Sequence, residues 1–137
     1  MKEHSTNYKN TLIEIAPDCP IESGEVPPMR GSKKSVANYQ YEMLLNRPYE
    51  YTSDEVLYSV YATRKGIEAL EWKEEKDKFF SKGQPCFRAS PLTKRYGWSI
   101  HSNDSGKVAM FGADSADYQR LLKDDSVKKV KAMKSKR

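Results

Sequence analysis

Five side chains with recognisable chemistry fall between positions 94 and 101 of this chain: Lys94, Arg95, Tyr96, Trp98 and His101, within the run ASPLTKRYGWSIHSNDSG. Lys94 and Arg95 offer donors to a phosphate or carboxylate, and Arg88, just upstream, adds a bidentate fork. Tyr96 and Trp98 present flat faces to a ring or a base. Pro91 stiffens the run, which lowers the ordering cost of binding. The types and spacing read as a binding site for an anionic small molecule. Arg88, Lys94 and Arg95 are its donors, Tyr96 or Trp98 its stacking wall, and His101 its rim. The plainer reading makes Trp98 a core residue, pairs Arg88 with a helix acid and leaves Lys94 and Arg95 solvated.

Catalysis is the lesser reading. Cys86 and His101 form the one thiol–imidazole pair inside the expected folded region, and reaction would need them in hydrogen-bond reach with a lowered thiol pKa. A lone cysteine is more often a small hydrophobe. His4, His101, Cys19 and Cys86 have no zinc-like spacing, so no metal is expected. No Gly-x-Gly-x-x-Gly and no Walker-type loop is present, and no cofactor is called for.

A second candidate is charge alone. Positions 126–137, SVKKVKAMKSKR, carry six of the basic residues and no acid, which leaves the rest of the chain near −1 although the whole is +5. Such a tail suits electrostatic binding of nucleic acid, or it is a frayed helix end whose lysines complement the macrodipole. A local bias also runs from Lys78 to Asn103, where five cations occur with no Asp or Glu.

The elements that must position these groups follow from length and pattern. The 137 residues suit one domain, and 37% hydrophobic with 11% aromatic residues suffices for a core. Two cysteines are too few for a disulfide scaffold, the start is polar, and no apolar run nears the roughly 20 residues that span a bilayer. The expectation is a cytoplasmic protein with reduced thiols and no membrane span; its oligomeric state stays open.

Residues 1–10 are expected to be a flexible lead-in, 11–123 a single domain and 124–137 a basic tail. Strands are predicted at 11–16, 56–64, 85–90, 98–102 and 107–112, the last three a meander. Helices are predicted at 35–46, 67–82 and 115–123. Positions 17–34, with four prolines and two glycines, read as an irregular loop or a cover over one sheet edge. Thr52-Ser53-Asp54-Glu55 has capping-box spacing, but VLYSVYAT after it alternates like a strand. Across Asn103–Gly106, pairing Ser102 with Lys107 sets His101 opposite Val108. The class is α+β: a mostly antiparallel sheet of about five strands with about three helices largely on one face.

The run CFRASPLTKRYGWSIHSNDSGKVAMFG resembles the signature of a family of small, mostly bacterial proteins of unknown function. Ser90, Pro91, Leu92, Lys94, Arg95, Tyr96, Gly97, Trp98, Ile100 and His101 match its pattern; Ser99 departs, a glycine being usual there. The resemblance extends through NTLIEIAPDCP and RPYEYTSDEVLYSVYA to the basic end, about Asn7 to Arg137. It implies a family and no activity, cofactor or partner.

Overall fold

A computed structural model describes residues 5–29 and 31–134. Five strands, β1 (Thr11–Glu14), β2 (Tyr51–Thr52), β3 (Trp98–Ser102), β4 (Lys107–Gly112) and β5 (Lys128–Lys131), form one sheet in the order β2-β4-β3-β1-β5. Every pairing is antiparallel except β1 with β5. Among the described residues the α-helices are α1 (Val36–Leu44), α2 (Ser53–Lys65), α3 (Trp72–Phe79), α4 (Pro91–Lys94) and α5 (Ala116–Lys123). The α+β class and the mostly antiparallel five-stranded sheet hold, with five helices rather than about three.

Alternation along the strands divides the apolar residues between two faces. Ile13, Ile100 and Val108 join Ala37 and Leu44 of α1, Val56 and Val60 of α2, and Leu92 of α4 in the main core. Leu12 faces the other way and packs with Tyr118 and Leu121 of α5. His101 pairs with Leu12 and Ala109, so it too lies on the α5 face.

The hairpin register differs by one residue from expectation. Ser102 pairs with Val108 and His101 with Ala109. Asn103 donates to the Lys107 carbonyl, Gly106 donates to the Asn103 carbonyl, and Gly106 sits at φ +80°. This is a three-residue loop closed by a left-handed glycine bulge. The extra residue moves every partner one place along β4.

The strand predicted at 56–64 is the helix α2. Both arms of the Thr52/Glu55 capping box form, and Gly66 ends the helix in the left-handed conformation. Alternation misleads here because α2 is buried on two opposite sides. Val56 and Val60, four apart, enter the main core; Tyr58 and Ala62 enter a separate cluster with Phe80, packed against Phe79 and Trp72. On a helix, two opposite stripes of i, i+4 residues read as period two.

The strand predicted at 85–90 is a 3-10 turn, Phe87–Ala89, leading into α4. Both sides of β3 are taken by β4 and β1, so there is no three-strand meander. The predicted 67–82 helix shortens to α3 behind a 3-10 turn at Ala69–Glu71.

Both ends are tied down where described. Thr6 donates to Asp54 through its backbone N–H and its hydroxyl, each at 2.7 Å, so the lead-in is anchored from Ser5 onward. The basic tail contributes β5, whose Val130 and the following Ala132 join the main core. Met1–His4 of the lead-in and Ser135–Arg137 of the tail lie outside the described residues. No helix among the described residues is long and apolar enough to cross a membrane.

Candidate functional site

Short-range structure sets the direction of each side chain in the ASPLTKRYGW run. Ser90 caps α4 by accepting from the Leu92 N–H at 3.1 Å, and its own hydroxyl donates to Gln40 Oε1 at 2.5 Å. Pro91 occupies the first helical turn, where its missing N–H costs nothing. The Thr93 hydroxyl donates to the Phe87 carbonyl at 2.6 Å, and Leu92 and Thr93 are fully buried. With those two turned inward, Lys94 and Arg95 turn out, while Tyr96 lies half-buried against the main core. Gly97 at φ +75° then swings the chain into β3.

The outward residues meet a second segment. Ser35 caps α1 in a reciprocal box with Asn38, and the Asn38 amide donates to the Pro27 carbonyl at 2.7 Å. That bond fastens the irregular segment over the start of α1 and brings Lys33 and Lys34 opposite α4. Between them lies an open cavity of about 430 Å³, with Lys33, Lys34, Lys94, Arg95 and Tyr96 on its wall and Ala37, Ala89 and Pro91 beneath. Lys33 and Lys34 also line an adjoining cavity of about 590 Å³ with Arg64.

No described residue on the first cavity's wall carries a carboxylate, imidazole or thiol. Lys34 pairs with Glu42 at 2.8 Å, and that hydrogen bond raises its pKa. Both partners are substantially exposed, so the pair contributes little. Lys33, Lys94 and Arg95 are in no ion pair among the described residues. The wall has the donors to hold an anion.

Of the six residues expected to bind, Lys94, Arg95 and Tyr96 converge here and three do not. Arg88 donates to the Lys131 carbonyl at 2.7 Å and accepts at its own carbonyl from the Met133 N–H, clasping β5. Trp98 donates to the Glu25 carbonyl at 2.8 Å and lies over Gly24 and Tyr41. It pins the irregular segment to the sheet. His101 is on the α5 face, its Nδ1 2.8 Å from the Tyr49 hydroxyl. Burial pushes its pKa below 6.5, against the opposing pull of Asp124 and Asp104.

Cys86 and His101 do not meet. Cys86 is 3.6 Å from the Tyr8 hydroxyl, whose pKa is raised by burial and then by the Cys86 contact, while Arg88 lowers it. His101 engages Tyr49. No three His, Cys, Asp or Glu side chains gather as a metal site among the described residues, and His4 lies outside them. In the tail, Lys129 turns back onto the Asp124 and Val127 carbonyls.

The residues missed from sequence are Lys33 and Lys34. Their only signal is the SKKS run just before a helix cap, which marks a helix start and not a ligand.

No curated protein and no solved structure matches the chain. A family model does so over residues 3–137, nearly its whole length, and the chain belongs to the family of unknown function DUF6157.

Proposed function

We propose that this chain is a binding module for an anionic small molecule bearing a phosphate or carboxylate, and that it works in a reducing compartment such as the cytoplasm. The observation that carries the reading is the cavity of about 430 Å³ with Lys33, Lys34, Lys94 and Arg95 on its wall. Three of those four cations lack an ionic partner among the described residues. The compartment rests on Cys19 and Cys86 being free thiols.

The test titrates isotope-labelled protein with inorganic phosphate, pyrophosphate and citrate and follows amide resonances. Shifts are expected at 33–37 and 94–96. A hydrogen bond to a charged group contributes about 1.5–3 kcal/mol. Lys94→Ala and Arg95→Ala are each expected to weaken binding about tenfold to a hundredfold. Unchanged affinity in the double variant would end the proposal. Tighter binding to an RNA oligomer than to any of the three anions, with a steep salt dependence, would favour the tail instead.

A further inference from the structure

The floor of the basic cavity is also the wall of another. Ala89 and Pro91 border both it and a second opening of about 370 Å³ on the far side of the same ridge. That second cavity is lined chiefly by apolar side chains, among them Val36, Leu57, Val60, Phe79 and Pro85, with the Cys86 thiol and the Arg64 guanidinium also at its wall. Leu57 and Phe79 remain half-exposed, so the described chain leaves part of this apolar surface open to solvent.

Gln40 sits in this wall, almost fully buried. Its Oε1 accepts the Ser90 hydroxyl, which holds the side chain beside the Ala89–Pro91 ridge. A cluster of cations and an apolar recess therefore meet across the Ala89–Pro91 ridge.

From this succession we propose that the ligand is amphiphilic. Its anionic head sits among Lys33, Lys94 and Arg95, and an apolar body crosses the Ala89–Pro91 ridge into the second cavity. This deepens the proposed function and rests on it. Small-molecule sites are usually apolar hollows with a few placed polar groups; the basic cavity supplies most of the charge and the second supplies most of the apolar wall, with Arg64 its one cation among the described residues. At about 30 Å³ per water-sized group, the second cavity takes a body of roughly ten carbon atoms, such as a medium alkyl chain or a substituted ring.

The probes are inorganic phosphate, butyl phosphate and octyl phosphate, the last kept below its micelle concentration. The protein is the full chain carrying Cys19→Ser, so that Cys86 is its one thiol. Affinity is read by calorimetry and occupancy of the second cavity by the rate of Cys86 alkylation. Each added methylene is expected to tighten binding about fourfold, or roughly two hundredfold from butyl to octyl. Octyl phosphate slows alkylation and inorganic phosphate does not.

Leu57→Glu sets a charge in the apolar cavity and is expected to erase the chain-length gain while inorganic phosphate still binds. Pro85→Trp, on an exposed loop, fills the same space by bulk and repeats the test should Leu57→Glu fail to fold. Lys94→Ala with Arg95→Ala removes binding of all three probes. Phosphate binding with no gain from butyl to octyl overturns the amphiphile and leaves the anion site standing. No binding of phosphate and no protection of Cys86 overturns both. A chain-length gain that survives both Leu57→Glu and Pro85→Trp overturns the assigned cavity.

Discussion

Gly97 is where the site, the sheet and the irregular segment meet, and replacing it by alanine separates their contributions. Its φ of +75° costs an alanine about 1–2 kcal/mol. A Cβ there would also lie 2.4 Å from the Ser23 carbonyl oxygen and 3.0 Å from its carbon, and that obstacle is backbone. Residues around Ser23 must retreat. Two hydrogen bonds hold them in place: the Glu25 N–H to the Tyr96 carbonyl at 2.9 Å, and the Trp98 indole to the Glu25 carbonyl at 2.8 Å. Losing both costs about 1 kcal/mol each. The expected destabilisation is therefore about 3–4 kcal/mol, a fall in melting temperature of roughly 12 °C at this length. Gly66→Ala is the control. Its φ is +70°, with nothing within 4 Å of a new Cβ, so it carries the backbone strain alone, about 1–2 kcal/mol. Urea unfolding of the three proteins gives the comparison directly. A Gly97→Ala loss no larger than that of Gly66→Ala would refute the packing of the irregular segment against β3.

Arg88→Ala is expected to cost about 1 kcal/mol in urea unfolding by releasing its bond to the Lys131 carbonyl, with phosphate affinity unchanged; a weaker affinity would return Arg88 to the site. His101 gives a pH dependence of known sign. Burial lowers its folded pKa, so as pH falls through about 6.5 the unfolded chain takes up a proton that the folded chain resists, and stability drops until the folded pKa is passed. His101→Gln is expected to lose less stability than the parent between about pH 7.5 and pH 5.5. The groups around it, Tyr49, Asp104 and Asp124, are common to both proteins, so equal losses would show that His101 does not resist protonation there.

What sequence made legible was mostly local. Ser35 and Ser115 mark true helix starts because a cap is decided within three residues. The β3–β4 hairpin is found because its turn residues and flanking apolar runs are contiguous, while its register depends on Gly106 taking one extra place. The failure at α2 is of another kind. Thr52 and Glu55 state the helix plainly, but a helix buried on both sides produces the alternation of a strand, and only the packing partners Phe79 and Phe80 distinguish the two. β5 fails for the converse reason. SVKKVKA has too few apolar residues to announce itself, and it becomes a strand because β1 offers an open edge far away in sequence.

The candidate site shows the same division within a single motif. Leu92, Thr93, Gly97 and Trp98 of the PLTKRYGW run are spent on structure: two are buried outright, one permits a turn that no other residue takes comfortably, and one bolts down the irregular segment. Lys94 and Arg95 are what remains to face outward, with Tyr96 half-buried beside them. Three residues on one short helical end do not enclose a ligand. The opposing wall arrives from positions 33–35, held by Asn38 reaching back to Pro27. The cavity is therefore a joint between two segments about 60 residues apart. Its shape depends on how firmly the proline-rich stretch is seated, and Gly24, whose Cβ would stand 2.7 Å from the Trp98 ring, belongs to that seating.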